Sequence, residues 1–253
     1  MFPTMAGRSP LDEARRDWTA LGEADPLWAV LVHPDGRGGR WDIDEFLATG
    51  AVDVTATVAW LDGLALATRW GRALDFGCGA GRLTQALAAH ADEVVGVDIS
   101  PPMLEAARTI DRTNGRARFV HNDTADLRQF PDGSFDLVYS ALVLQHLPRP
   151  VIEAYLVEFL RVLRPDGTVV VQLPSRTLWT VRGIIWRVAP FPVVRWAQQH
   201  LLRYPAPMRM TVVPDVPAIV GRAGGRVVSS RTDPTDSKDF RLTRYAVRHG
   251  DAL

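Results

Sequence analysis

The chain has a single cysteine, Cys78, among 253 residues. That excludes an internal disulfide and any cluster of thiolates around zinc. It has no excess charge of either sign, since 29 Lys and Arg offset 29 Asp and Glu, so no global field points to a nucleic-acid partner. No apolar stretch is long enough to cross a bilayer. The start, Met1-Phe2-Pro3-Thr4, lacks a basic segment running into an apolar core, and a cytoplasmic location is the expectation. Grouped carboxylates and amides are also missing, so no metal is expected, and there is no internal repeat. What remains is a chain 47% apolar with dispersed charges, which reads as one large domain or a domain with an appendage.

The most informative stretch is Ala73-Leu74-Asp75-Phe76-Gly77-Cys78-Gly79-Ala80-Gly81-Arg82-Leu83. An apolar run with β character ends at Phe76, and three glycines follow on alternate positions. Leu83, Ala86, Leu87 and Ala91 then recur at helical spacing. A strand, a glycine turn and a helix start together present backbone N–H groups to a ligand. Val94-Val95-Gly96-Val97 reads as a second buried strand ending at Asp98. A carboxylate about 20 residues beyond such a turn is placed to hydrogen-bond the hydroxyls of a ribose.

Before this stretch lies a helical preface, 1–70, with a polar helix over Asp12 to Leu21, a short apolar segment at 25–31 and a loop at 33–40. A turn of helix is expected at 41–48, and a better helix carries Val54, Val58, Leu61 and Ala65 on one face. Trp18, Trp28 and Trp41 are expected to fasten this preface to the sheet edge rather than to line a pocket. After the second strand, Ser100-Pro101 opens a helix through Met103, Leu104, Ala107 and Ile110. Further strands are expected at 117–121, 135–140 and 168–173, with an amphipathic helix from Ile152 to Leu163 before the last. Strands alternating with helices imply a doubly wound α/β fold, mostly parallel, with ligands beyond the C-terminal strand ends. There Gly77, Asp98, Asp123 and Ser140 converge. The tail adds a basic stretch, 176–210, with six arginines, three tryptophans and no acid. A short helix at 214–223 and strands at 226–230 and 240–247 follow, the last two as an antiparallel edge hairpin.

Leu74 to Gly81, Val97-Asp98-Ile99-Ser100 with Met103-Leu104, Phe135 to Ser140 with Leu144-Gln145-His146-Leu147, and Leu160 to Gly167 together resemble the ubiquinone/menaquinone-biosynthesis type of class I methyltransferase domain. The resemblance covers about 72–173. It implies a Rossmann-like, seven-stranded methyltransferase fold over 71–253, with 176–210 as an insert after the fifth strand, and S-adenosylmethionine as cofactor. On that resemblance Gly77, Cys78, Gly79 and Gly81 hold the methionyl and ribose portions, Asp75 engages the ammonium and Asp98 the ribose diol. Ile99 and Met103 pack on the adenine, Asp123 accepts from its amino group, and Thr124 and Ser140 complete the cofactor site. Asn122-Asp123-Thr124 departs from the family's usual Gly-Asp-Ala.

His146 is the candidate general base and Tyr139 a candidate for the acceptor pocket, with His33 and His200 behind them. The acceptor is expected to be a small molecule, apolar or anionic, with no nucleic acid involved. The basic stretch reads as a lid over the acceptor, as a face resting on a membrane, or as a solvated surface. Two other functions stay open: a nicotinamide-dependent oxidoreductase, whose usual turn is Gly-x-Gly-x-x-Gly, and a cofactor-binding module without catalysis. The identity of the acceptor, the atom methylated and the oligomeric state are not written in the sequence.

Overall fold

Seven strands hydrogen-bond in the order β3-β2-β1-β4-β5-β7-β6. They are β1 (Trp70–Phe76), β2 (Ala91–Asp98), β3 (Ala117–His121), β4 (Phe135–Ser140), β5 (Leu163–Thr177), β6 (Gly225–Thr232) and β7 (Phe240–His249). The structure is a computed structural model and describes residues 9–32, 34–233 and 238–250. Strands β1 to β5 run parallel, while β7 lies antiparallel between β5 and β6. This is the expected α/β fold, a mostly parallel Rossmann-like sheet with an antiparallel C-terminal hairpin. The strand order reverses between β1 and β4, which opens a crevice at their C-terminal ends.

The helices are α1 (Pro10–Ala24), α2 (Pro26–Val30), α3 (Ile43–Asp62), α4 (Arg82–Leu87), α5 (Pro101–Thr109), α6 (Arg149–Val162), α7 (Val181–Val188), α8 (Phe191–His200) and α9 (Val216–Arg222). The period of two along each strand sorts them onto two faces. Ala73, Val94, Leu137 and Val170 pack with Val54 and Leu61 of α3 and Leu83 and Leu87 of α4. Their neighbours Leu74, Val95, Val138 and Val171 pack with Ile152 and Phe159 of α6 and Ile219 of α9. Leu104 and Ala107 of α5 close the first face over Phe119 of β3.

Several boundaries differ from expectation. The helical turn at 41–48 and the following helix are one element, α3, started by the Asp42 carboxylate, which accepts the Glu45 N–H at 3.0 Å. Gly50 does not break it. A Cβ there would stand 2.3 Å from the Arg82 carbonyl oxygen, so this glycine marks close helix packing rather than a helix end. Ala91 starts β2 instead of continuing α4, and Leu163 pairs with Phe135 as the first residue of β5 instead of closing α6. The chain then bulges before Thr168 resumes pairing opposite Leu137. In the basic stretch, Pro190 separates α7 from α8 as its fixed φ and missing N–H require.

Candidate functional site

All three glycines of the turn after β1 have positive φ: 73° at Gly77, 52° at Gly79 and 82° at Gly81. That is a conformation side chains disfavour, and it lets the backbone fold back under β2. The Gly77 and Cys78 N–H groups both donate to the Val97 carbonyl, at 2.7 and 2.9 Å. Asp98, the last residue of β2, accepts the Gly79 N–H at 2.8 Å and the Ser100 N–H at 2.9 Å. Burial pushes the Asp98 carboxyl up despite those bonds.

A cleft opens above this turn. Its polar end is Gly77, Cys78, Gly79 and Asp98, and its apolar wall includes Ile99, Met103 and Val143. Leu11 and Trp18 of α1 and Val30 of α2 cover it. Through Val30, Arg82 and Leu142 the cleft adjoins a second cavity of about 1550 Å³. Trp28, Met208, Met210, Trp186 and Leu202 supply apolar surface there, while Asp53, Arg82 and Arg244 lie at its inner end. The cavity is thus bounded partly by the basic stretch.

The structure brings Gly77, Cys78, Gly79, Asp98, Ile99 and Met103 together on one wall. Other named residues lie elsewhere. Asp75 is 1% exposed beneath the turn, accepting from the Thr84 hydroxyl at 2.6 Å, and burial pushes its carboxyl up to about 7. Gly81 caps α4 in the left-handed conformation. Asp123 faces outward and accepts from Arg15 at 3.4 Å, so Asn122 takes the place on the cleft wall. Thr124 bonds Asn122 Oδ1 at 3.2 Å and lies off that wall. Ser140 is fully buried, and the loop beyond it, Ala141-Leu142-Val143, lines the cleft instead. The Leu142 N–H donates to Gln172 Oε1 at 3.0 Å, which fixes this loop against β5. The Cys78 thiol is buried, and burial pushes it well up, away from nucleophilic use.

Tyr139 is 0% exposed and lines neither cavity. Its hydroxyl donates to Asp53 Oδ1 at 2.8 Å and accepts from Arg244 Nη1 at 2.9 Å, with Thr57 beside it. Burial pushes its pKa far up, so the sequence-derived role in an acceptor pocket gives way to a place in a buried network that joins α3 to β7. His146 borders the second cavity. Its Nδ1–H donates to the Arg209 carbonyl at 2.7 Å, and Nε2 accepts from the Gln145 amide at 3.3 Å. Trp18 packs edge-on against the ring at 5.0 Å. Burial lowers the imidazole to about 4, so it is neutral at physiological pH. His200 lies on the outer surface, stacked on Trp196, and His33 is outside the described residues.

Trp18 and Trp28 line the two cavities, contrary to a purely sheet-edge role, and Trp41 packs on Phe46. Leu11 and Trp18 lie seven residues apart on one face of α1, a spacing the sequence displays. Arg82 and Asn122 had no such signal, since each stands next to a motif residue, Gly81 or Asp123, that draws the eye.

Residues 74–171 match a family described as the methyltransferase domain. A 2-methyl-6-phytyl-1,4-hydroquinone methyltransferase of Synechocystis is 33% identical over 157 residues, 61% of this chain and 48% of that protein. A demethylmenaquinone methyltransferase of Clavibacter sepedonicus is 41% identical over 100 residues, 40% of each chain. The chain therefore matches about half or less of the length of these relatives. Among solved structures, the magnesium protoporphyrin IX methyltransferase of Synechocystis with bound S-adenosylmethionine superposes with a TM-score of 0.62 at 20% identity, over 97% of this chain and 100% of that one. A Leishmania major methyltransferase gives 0.65 at 17% identity, over 95% and 83%. These structural likenesses establish the fold, and the matched segment carries the glycine turn, Asp98 and β4. Residues 74–171 thus match the methyltransferase domain in sequence, and the fold around them is the one that S-adenosylmethionine-dependent methyltransferases of known structure share.

Proposed function

We propose that the protein transfers a methyl group from S-adenosylmethionine to a small, largely apolar acceptor. The observation that carries this reading is the meeting of two cavities at Val30, Arg82 and Leu142, a narrow one built on the glycine turn and a larger apolar one beside it. The narrow cleft suits the cofactor on its own chemistry. Gly77 and Gly79 form a cradle that a Cβ would fill, Asp98 supplies a carboxylate for the ribose, and Ile99 and Met103 make an apolar wall for the adenine. Asn122 takes the adenine-edge role expected of Asp123, and Asp75 supports the turn from below.

When bound, the cofactor supplies an electrophilic sulfonium methyl for in-line displacement. The chain's own contribution is alignment and the exclusion of water, which together account for several powers of ten in rate. Leu11, Trp18 and Val30 close the cleft, so α1 and α2 of the preface act as its cap. Neutral His146, at the wall of the larger cavity, holds the Arg209 carbonyl and acts by positioning.

The acceptor's apolar character is supported by the cavity lining and by the insert. Nine of the thirteen exposed large apolar side chains among the described residues lie between Trp179 and Leu202, with Trp179, Val181, Val188 and Leu201 each at least 68% exposed. The segment 176–210 has no acid and exposes Arg176, Arg182, Arg187 and Arg203. Such a face fits the anionic surface of a bilayer, where a lipid-soluble acceptor would be collected. A second copy is a poorer occupant, because a two-fold contact would set these arginines against their own kind. Two of the relatives are named for a phytyl hydroquinone and for demethylmenaquinone. Calorimetry with S-adenosylhomocysteine and with NAD+ tests the cofactor. Binding of NAD+ alone would replace this reading with an oxidoreductase, and S-adenosylhomocysteine formed from S-adenosylmethionine with a lipid extract separates an enzyme from a silent binding module.

A further inference from the structure

Arg82 is 4% exposed. A guanidinium carries five donors, yet among the described residues Arg82 makes no side-chain hydrogen bond. Its Nε is buried without a partner, and its nearest carboxylate is Asp53 Oδ2, 3.9 Å from Nη2. Asp53 is already engaged by Arg244 at 2.7 Å and by the Tyr139 hydroxyl at 2.8 Å. Burial disfavours the Asp53 charge, but Arg244 and Arg82 overcome it and hold the carboxyl below its usual range. Arg244 has a second carboxylate, Asp233, at 2.6 Å. Arg231 stands nearby, over Trp60 and donating to the Ala56 carbonyl at 3.2 Å. The cluster therefore sets three arginines against the two aspartates, Asp53 and Asp233. Asp75 behind it, pushed up to about 7, offsets only part of the excess at neutral pH. A buried cation with unused donors is costly unless an anion meets it.

Arg82 borders both cavities, but its Asp53 neighbour and Arg244 border only the larger one. The guanidinium end is thus on the acceptor side. Resting on the methyltransferase reading above, we propose that Arg82 receives an oxyanion of the acceptor, a carboxylate or ionised phenol, at the inner end of the larger cavity. The planar fork accepts two oxygens at once. The acceptor's apolar body then lies outward along Trp186, Leu202, Met208 and Met210. One anionic head on one apolar body is the chemical class this cavity selects, and the anchored head lies where the cleft and the larger cavity meet. The same donors would suit the cofactor's own methionyl carboxylate, so the experiment separates the two sources.

The probes are dodecanoate and dodecanol at micromolar concentration, titrated into protein saturated with S-adenosylhomocysteine and followed by tryptophan fluorescence. Dodecanoate is expected to bind about 10- to 100-fold tighter than dodecanol, the factor of a hydrogen bond to a charged group. Arg82→Gln should bring dodecanoate to the level of the alcohol while leaving the alcohol and S-adenosylhomocysteine unchanged. Arg82→Lys should retain part of the preference, and Arg187→Gln on the outer face all of it. Equal binding of the two probes by the wild type overturns the proposal without needing a folded variant. A preference that survives Arg82→Gln does so too. If Arg82→Gln weakens S-adenosylhomocysteine but not 5′-methylthioadenosine, which lacks the carboxylate, Arg82 serves the cofactor and the acceptor site is wrong. Failure of the wild type to bind S-adenosylhomocysteine sinks the methyltransferase reading instead, whatever the two dodecyl probes do.

Discussion

The Asp98 carboxylate accepts the Gly79 backbone N–H at 2.8 Å, tying the end of β2 to the turn after β1. One side chain thereby sets the shape of the turn and faces the cleft. Asp98→Ala is expected to weaken S-adenosylhomocysteine binding by about 1.5–3 kcal/mol, as for a lost hydrogen bond to a charged group, with the fold retained. Unchanged calorimetric affinity in a folded variant would remove Asp98 from the cofactor site.

Gly79→Val should abolish cofactor binding. The position has φ of 52°, and a Cβ there would stand 2.7 Å from Val30 Cγ2. A valine side chain can yield, but a β-branched residue in the left-handed region stores about 1–3 kcal/mol of strain. The turn relieves it by moving, and the N–H bonded to Asp98 moves with it. Circular dichroism with calorimetry checks this, and a folded variant with wild-type affinity would mean that the cofactor sits elsewhere.

The parallel sheet was legible because β1, β2, β4 and β5 each carry a short buried apolar run, and such runs have few alternative pairings. The glycine turn and Asp98 were legible because their chemistry depends on spacing along the chain. Tyr139 shows where such reading ends. It stands at a strand end beside the site, but strand alternation turns it to the α3 face, where Asp53 and Arg244 come from 86 residues before and 105 after. The partners of a buried polar group are set by tertiary packing, which no local pattern records. Asp123 and Asn122 repeat the lesson: one residue of rotation sends the aspartate outward and the asparagine to the cleft.

That network yields a stability prediction. Tyr139→Phe should cost about 1–2 kcal/mol, leaving Asp53 with Arg244. Arg244→Met should cost about 3–5 kcal/mol, because buried Asp53 and Asp233 both lose the guanidinium they share. Urea unfolding measures both. Turnover of Tyr139→Phe with an acceptor from the extract screen should stay within a few-fold of wild type, and a loss of two orders of magnitude at unchanged stability would return Tyr139 to the chemistry.

His146 gives a pH dependence with a defined sign. Its folded pKa, about 4, lies below the ordinary value of 6.5, so the folded state binds fewer protons. Its contribution is fully present above pH 6.5 and is lost as pH falls toward 4, by roughly 3 kcal/mol in all. Asp75 runs the other way. Its folded pKa, about 7, lies above 3.8, so its contribution is present below that value and is lost as pH rises toward 7. Chemical denaturation of wild type against His146→Gln should show the wild type losing stability relative to the variant between pH 6.5 and 4. Against Asp75→Asn, it should lose relative stability between pH 4 and 7. A pH-independent difference in the first pair would mean that folding leaves the His146 pKa at its ordinary value.

The insert offers the last test, and the structure decides which residues to change. Arg182 lies 3.4 Å from Asp239, and reversing its charge would set two acids together and disturb the start of α7. Trp179 and Trp196 are the better choice, being 81% and 54% exposed, with Arg187 over the Trp179 ring at 5.1 Å. Interfacial binding combines apolar burial with attraction to anionic lipid, so removing two rings should weaken it far more than it changes the fold. The wild type is expected to pellet with vesicles containing phosphatidylglycerol, less so at 0.5 M salt, and hardly with pure phosphatidylcholine. Trp179→Ser with Trp196→Ser should reduce pelleting about tenfold or more, while S-adenosylhomocysteine affinity and melting temperature stay as in the wild type. Sedimentation velocity on the same samples separates the alternative occupant. A wild-type dimer that the double variant converts to monomer, with no vesicle binding by either, would assign the face to a second copy of the chain. No vesicle binding and no self-association would leave it a solvated surface, as its exposed arginines alone would allow.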